Sequence, residues 1–276
     1  MLSSAHSLDR AVEHLRSVSF RSKRKLRLFC QGHLKCLPLA STLVKGKKGI
    51  EVGGPSDIFQ GWHTPSRTYG LLKPLPIYDL VGTLDNCNFS SETIWSKHDL
   101  DYRFSSRRST GKTIIADGSA MSTVADNTYD FVLSSHNLEH FANPIKALKE
   151  WQRVTRPGGS LILALPDYRR TFDHRRTPTE VEHMLEDYSR GVDESDDTHI
   201  PEVLRLHDLE MDGTLKTHSI EELTARSYDN LSNRVLHHHV FDEVNSAQLL
   251  REVGVEILAI ERALPYHIFL VARWVR

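Results

Sequence analysis

His136, Glu139 and His140 stand at i, i+3 and i+4 within Ser134-Ser135-His136-Asn137-Leu138-Glu139-His140. On one helical turn that spacing projects all three side chains from a single face. Two imidazoles and a carboxylate gathered in this way have three uses. They hold a divalent cation such as magnesium. Or Glu139 orients His140 as a metal-free acid–base pair. Or the segment only caps a helix and packs. From the residues alone all three readings stay open. His237, His238 and His239 form a second concentration of imidazole, with His238 the candidate to join His140 and Glu139 as a catalytic group.

The elements around the first group form a β-α-β unit. Phe131, Val132 and Leu133 read as a buried parallel strand. Asn143-Pro144 caps and starts a helix, with Ile145, Leu148, Trp151 and Val154 as its apolar stripe. Pro157-Gly158-Gly159 stops it, and Leu161 to Leu165 form the next strand, ending at Pro166-Asp167. The polar groups therefore follow a strand's C-terminal end, where open α/β sheets bind ligands. Asp167, Asp173-His174 and Arg175-Arg176 are further candidates for the acceptor side.

Earlier strand ends repeat the theme. Ile50 and Val52 flank Glu51 and lead into Gly53-Gly54-Pro55, a turn that lets a ligand approach the backbone. Neither a complete G-x-G-x-x-G nor a P-loop is present. Residues 77–84 read as the second strand, ending at Asp85-Asn86, with Asp79 in reserve as the acidic partner for ribose hydroxyls. Lys112 to Ala116 read as the third, ending at Asp117-Gly118, and residues 90–112 as a polar connection. Residues 168–240 break the alternation and read as a helical insertion, with helices opened by Thr177-Pro178-Thr179 and Ser219. A last helix from Asp242 to Gly254 precedes two strands, 255–264 and 267–275, joined as a hairpin. Near the N-terminus, residues 7–30 read as a helix carrying Arg21, Lys23, Arg24, Lys25 and Arg27. The organisation expected is thus 1–44, an N-terminal helical basic segment; 45–167, a cofactor-binding α/β core; 168–240, a helical insertion or substrate lid; and 241–276, a C-terminal helix with its closing hairpin.

The 276 residues suffice for one large core. A formal net charge of -1 argues against general nucleic-acid binding. The chain has no run of 18 apolar residues, so no membrane span is expected, and its first residues lack the apolar core of a signal peptide. Three cysteines, Cys30, Cys36 and Cys87, fit no metal or redox spacing and read as free thiols of a cytoplasmic protein. A homodimer is compatible with this composition.

Gly49 to Pro55, Asp85, Asp117, the SSHNLEH segment, Arg153 to Gly159 and the terminal hairpin together resemble class I S-adenosylmethionine-dependent methyltransferases. The resemblance covers roughly residues 45–166 and 240–275. It implies a Rossmann-like seven-stranded sheet with a terminal antiparallel hairpin. It also implies a cofactor site in which Glu51, Gly53, Gly54 and Pro55 face the methionine part, Asp85 and Asn86 the ribose, and Asp117 and Gly118 the adenine, with Ser135 and His136 alongside. Gly54-Pro55 departs from the family's longer Gly-rich loop. The segments LPDYRRTFDHRRTPTEVEHMLEDY and HHHVFD further resemble sugar O-methyltransferases of the methylmannose-polysaccharide type, which implies a sugar or oligosaccharide acceptor. Related ubiquinone-pathway O-methyltransferases carry metal ligands on a matching L-E-H segment; here His136 stands where they have a carboxylate. The other functions weighed are methylation of a non-sugar metabolite, a non-catalytic methyltransferase-like binding protein, and a nicotinamide dehydrogenase, which the missing G-x-G-x-x-G disfavours.

Overall fold

The computed structural model describes residues 34–61, 74–93, 100–105, 111–212 and 219–275. The expected helix over 7–30, its basic run and Cys30 lie outside them. Helix α1 (Leu37–Val44) leads to β1 (Lys48–Val52), followed by β2 (Thr83–Asn88), β3 (Asp101–Tyr102), β4 (Gly111–Ile115) and β5 (Tyr129–Ser135). Helix α2 (Pro144–Val154) connects to β6 (Thr155–Pro166). Four short helices follow: α3 (Val181–Arg190), α4 (Ile200–Leu206), α5 (Ile220–Tyr228) and α6 (Asn230–Asn233). Helix α7 (Glu243–Glu252) precedes the hairpin of β7 (Val255–Ala263) and β8 (His267–Trp274).

The sheet runs β3-β4-β2-β1-β5-β6-β8-β7. Strands β4, β2, β1, β5 and β6 are parallel, and β8 turns antiparallel against β6. This is the Rossmann-like methyltransferase arrangement, with one addition. The two-residue β3 pairs antiparallel with β4 at the edge, inside what the sequence presents as a polar connection.

Alternation along the central strands fills both faces of the sheet. Val132 joins Ile50, Trp151, Leu249 and Leu250 on one side. Phe131 and Leu133 join Ala40, Val44, Tyr78 and Phe104 on the other. Local signals fix the helices that cover the first face. The Asn143 side chain accepts from Lys146 N–H at 2.9 Å, and Pro144 takes the first turn. Asp242 and Asn245 form a reciprocal cap on α7. Gly191, at φ +66°, closes α3.

The second strand differs from expectation. Tyr78–Leu80 form a single 3-10 turn, and the chain bends at Gly82, whose N–H donates to Lys47 C=O at 2.8 Å. Pairing with β1 begins only at Thr83. A short apolar run has no periodicity to separate turn from strand. The consequence is positional: the strand's C-terminal end is Asn88, not Asp85.

Candidate functional site

Strands β1 and β5 are neighbours in the sheet although β2, β3 and β4 lie between them in sequence, so connections diverge at this point and open a crevice above their ends. A cavity of about 500 Å³ lies there. Gly53, Gly54 and Pro55 line it from β1, Asn88 and Phe89 from β2, Asp117 and Gly118 from beyond β4, and Ser135, His136, Asn137 and His140 from beyond β5. Glu194 and Arg234 close it from residues 168–240, and Tyr266 and His267 from the hairpin.

The glycine turn is shaped by what lies beneath it. Gly53 has φ +83°, and a Cβ there would fall 2.8 Å from Asn137 Cγ. A Cβ on Gly54 would fall 2.4 Å from the Glu51 carboxyl carbon and the Tyr102 hydroxyl. Glu51 itself is fully buried and accepts from the Tyr78 and Tyr102 hydroxyls, both at 2.5 Å. Burial pushes its carboxyl up to about 7, against the pull of the two tyrosines. Glu51 therefore supports the loop from below and does not line the cavity. Asn86, also buried, accepts from Gly54 N–H at 3.1 Å, and Asn88 donates to Gly54 C=O at 3.0 Å.

Asp85 is the clear correction among the expected cofactor residues. Its carboxylate accepts from Lys112 N–H at 2.8 Å and the Tyr129 hydroxyl at 2.9 Å, and it is not in the cavity wall. The shifted strand puts Asn88 at the mouth instead. Asp117 and Gly118 line the cavity. Asp117 Oδ1 accepts from the Ser119 N–H and hydroxyl, while Oδ2 stands 3.4 Å from the Arg234 guanidinium.

The SSHNLEH segment is not one helical turn. His136 takes a left-handed conformation, φ +48°, and only Leu138–His140 form a 3-10 turn. His136 swings toward the hairpin, its Nε2 2.7 Å from His267 Nδ1, and burial holds its pKa down to about 3. The metal-compatible group is therefore Glu139, His140 and His237, whose ligand atoms lie within 4.8 Å of one another, and not the expected set with His136. Both Glu139 carboxylate oxygens are buried without a hydrogen-bond partner. Burial raises Glu139 to about 7, more than nearby His237 lowers it.

His140 lines the cavity. Its Nδ1 donates to Leu236 C=O at 3.2 Å, and its ring packs edge-on against His237, centroids 4.6 Å apart. Burial holds its pKa well below the usual histidine value. His237 Nδ1 lies 2.6 Å from Asp173 Oδ2. Burial opposes charge on His237, but Asp173, helped by Glu139, raises its pKa. Asp173 is also paired with buried Arg176, which donates in turn to the His237 and His238 carbonyls at 2.8 and 3.1 Å.

His238, expected as catalytic, faces away from the cavity. Its Nε2 is 3.1 Å from Asn230 Nδ2, beside Glu194 and Asp196. A trio of consecutive histidines in extended chain points in different directions, and it is His237 that meets His140. Asp167 is buried and bound to Arg169 at 2.7 Å, and His174 and Arg175 both bind Asp208, so none of these lines the cavity. Reading from the sequence missed Asn88, Arg234, Tyr266 and His267. Only His267, polar at the start of an apolar strand, carried a visible signal.

Residues 90–163 match the family described as "Methyltransferase domain". Over that stretch the chain is similar to a methyltransferase domain. It is an enzyme, and S-adenosylmethionine is the cofactor of its class. No curated protein matches the chain. Among solved structures, a methyltransferase from Methanosarcina mazei is 14% identical, with 88% of this chain and 99% of that one covered and a TM-score of 0.45. One from Aquifex aeolicus is 14% identical, with 86% and 87% covered and a TM-score of 0.39. The strand order is the ground for the methyltransferase fold. The domain's cofactor fits the cavity: a glycine turn whose added Cβ atoms have no room, an amide and a carboxylate at the next two strand ends, and enough volume for a nucleoside.

Proposed function

We propose that the protein methylates a hydroxyl of a sugar or other polyhydroxylated small acceptor. The observation that carries this reading is His140 in the cavity wall, backed by Glu139 and by the Asp173–His237 pair. Bound S-adenosylmethionine supplies an electrophilic methyl group on a sulfonium. A hydroxyl is a poor nucleophile at neutral pH and needs its proton removed as it attacks. His140 suits that task. Its Nδ1–H is committed to the Leu236 carbonyl, which makes Nε2 the basic nitrogen. The acceptor proton passes to Nε2, and the ionised Glu139 carboxylate stabilises the imidazolium formed. Hydroxyl and methyl carbon must be held in line at about 3 Å.

The acceptor class rests on the polar side chains set into a largely apolar wall. Asn137, Glu194 and Arg234 face the cavity with the histidines, and such groups pair with hydroxyls in orientation-specific ways. Glu194 and Arg234 are themselves paired at 3.1 Å. The free, buried Cys36 and Cys87 accord with a reducing cytoplasmic setting.

A second reading has its own support: the unpartnered oxygens of Glu139, together with His140 and His237, form a set able to hold a divalent cation. Magnesium or manganese there would polarise the acceptor hydroxyl.

The test is transfer of labelled methyl from S-adenosylmethionine to a panel of monosaccharides and oligosaccharides, with catechols and amines beside them. Label on a sugar oxygen supports the reading; label only on amines or phenols rejects it. Burial lifts Glu139 to about 7, so the carboxylate is present above that pH and lost below it. Turnover should therefore rise as pH increases through about 7, and Glu139→Gln should remove that rise. A flat profile between pH 6 and 8, on the order of one unit either side of that value, would mean that Glu139 does not stabilise the imidazolium.

A further inference from the structure

We propose that His183, Asp187, His199 and His239 form a four-ligand zinc site, separate from the cofactor cavity, that pins residues 180–200 to the His237–His239 segment. One nitrogen from each histidine and one Asp187 oxygen lie within 4.8 Å of one another. His183 Nε2 is 3.3 Å from His199 Nε2 and 3.3 Å from Asp187 Oδ2. Ligands about 2.0–2.1 Å from a tetrahedral zinc are separated by roughly 3.3 Å, so these two edges already have the required length.

The local folding supports the same centre. His183 and Asp187 are i and i+4 on α3, on one face of the helix. His199 immediately precedes α4. His239 arrives from the extended segment before α7. Three separate stretches of chain thus aim basic atoms at one point.

Two of these atoms lack the partners that burial normally demands. Asp187 Oδ2 makes no hydrogen bond, although the residue is almost fully buried. His239 Nδ1 is likewise buried without a partner. The other His239 nitrogen, Nε2, stands 3.2 Å from the Ala142 carbonyl, which can only accept. That bond puts the ring proton on Nε2, which also stands 3.9 Å from Asp187 Oδ2, and leaves Nδ1 of the same ring with an unused lone pair. A ligating imidazole whose second nitrogen donates to a backbone carbonyl is the arrangement metal sites favour.

Three imidazoles and one carboxylate with no open position suit zinc in a structural role. Asp196, 4.0 Å from His199 Nε2, adds negative charge nearby. None of the four ligands lines the cofactor cavity. The site would nevertheless steady it: His239 N–H donates to Glu139 C=O at 3.4 Å, and His237 is two residues away.

The test is metal content of the full chain, purified without chelator and supplied with zinc(II), read by elemental mass spectrometry. The expected result is about one zinc per chain, lost in His199→Gln and Asp187→Asn. His140→Gln, in the cavity wall, should retain it. Wild-type protein that takes up no zinc, or the two ligand variants retaining it, overturns the proposal. Should those variants fail to fold, cobalt(II) in the wild-type protein decides. Intense visible bands of four-coordinate cobalt support the site, and weak six-coordinate bands or none reject it.

Discussion

Replacing His140 with alanine is expected to lower kcat by about a hundred- to ten-thousand-fold, the usual contribution of a positioned general base. The affinity for S-adenosylhomocysteine should change little. The split follows from position. His140 belongs to the 3-10 turn after β5 and faces the cavity, whereas the glycine turn is held by Glu51, Asn86 and Asn88 on other strands. Turnover and calorimetric binding on the same preparation check both halves. A variant that loses cofactor affinity in step with turnover would make His140 a packing residue. One that keeps near wild-type turnover would give proton removal to another group.

Asp173→Asn is expected to be the most destabilising of the conservative changes near the site, by about 3–5 kcal/mol, since it removes one partner of a buried ion pair and leaves the others charged. Asp173 is 3% exposed and meets both Arg176 and His237. Burial alone would raise its pKa, but His237 and Arg176 together hold it down, from 3.8 to about 2. The sign follows: a depressed carboxylate contributes stability that is fully present above its unfolded value and lost as pH falls through its folded one. The wild type should lose this contribution between pH 3.8 and about 2, and Asp173→Asn should show no matching loss. Urea unfolding across that range measures it. A destabilisation below about 1 kcal/mol at neutral pH, the scale of an exposed pair, would mean the network adds little.

What the sequence made legible was local. Asn143-Pro144, Gly191 and Asp242 mark helix ends because cap chemistry is decided within four residues, and all three act in that way. Glycines 53 and 54 were recognisable because a close backbone approach leaves no room for Cβ. Asp117 was recognisable because it follows a clear strand.

The misplacements arose where tertiary contacts decide. The start of β2 depends on Gly82 bonding to Lys47, which moves the strand end from Asp85 to Asn88. His136 adopts a positive φ that sequence seldom announces for a non-glycine residue, and this turns its Nε2 to His267 while its Nδ1 stays 3.9 Å from Glu139 Oε1. Which of three adjacent histidines meets the His140 ring depended on Arg176 gripping the His237 and His238 carbonyls. Arg176 is 61 residues from His237, and no local pattern reports that bond.

Methyl transfer requires that the crevice above β1, β2 and β4 bind the methyl donor. Isothermal calorimetry with S-adenosylhomocysteine tests this most directly, on wild type and on Gly54→Ala, whose added Cβ would sit 2.4 Å from the Glu51 carboxyl carbon. The expected result is saturable binding at about one site per chain, weakened at least about tenfold, or 1.4 kcal/mol, in a Gly54→Ala protein that still folds. Absence of heat in the wild type, or equal affinity in the two proteins, would contradict it.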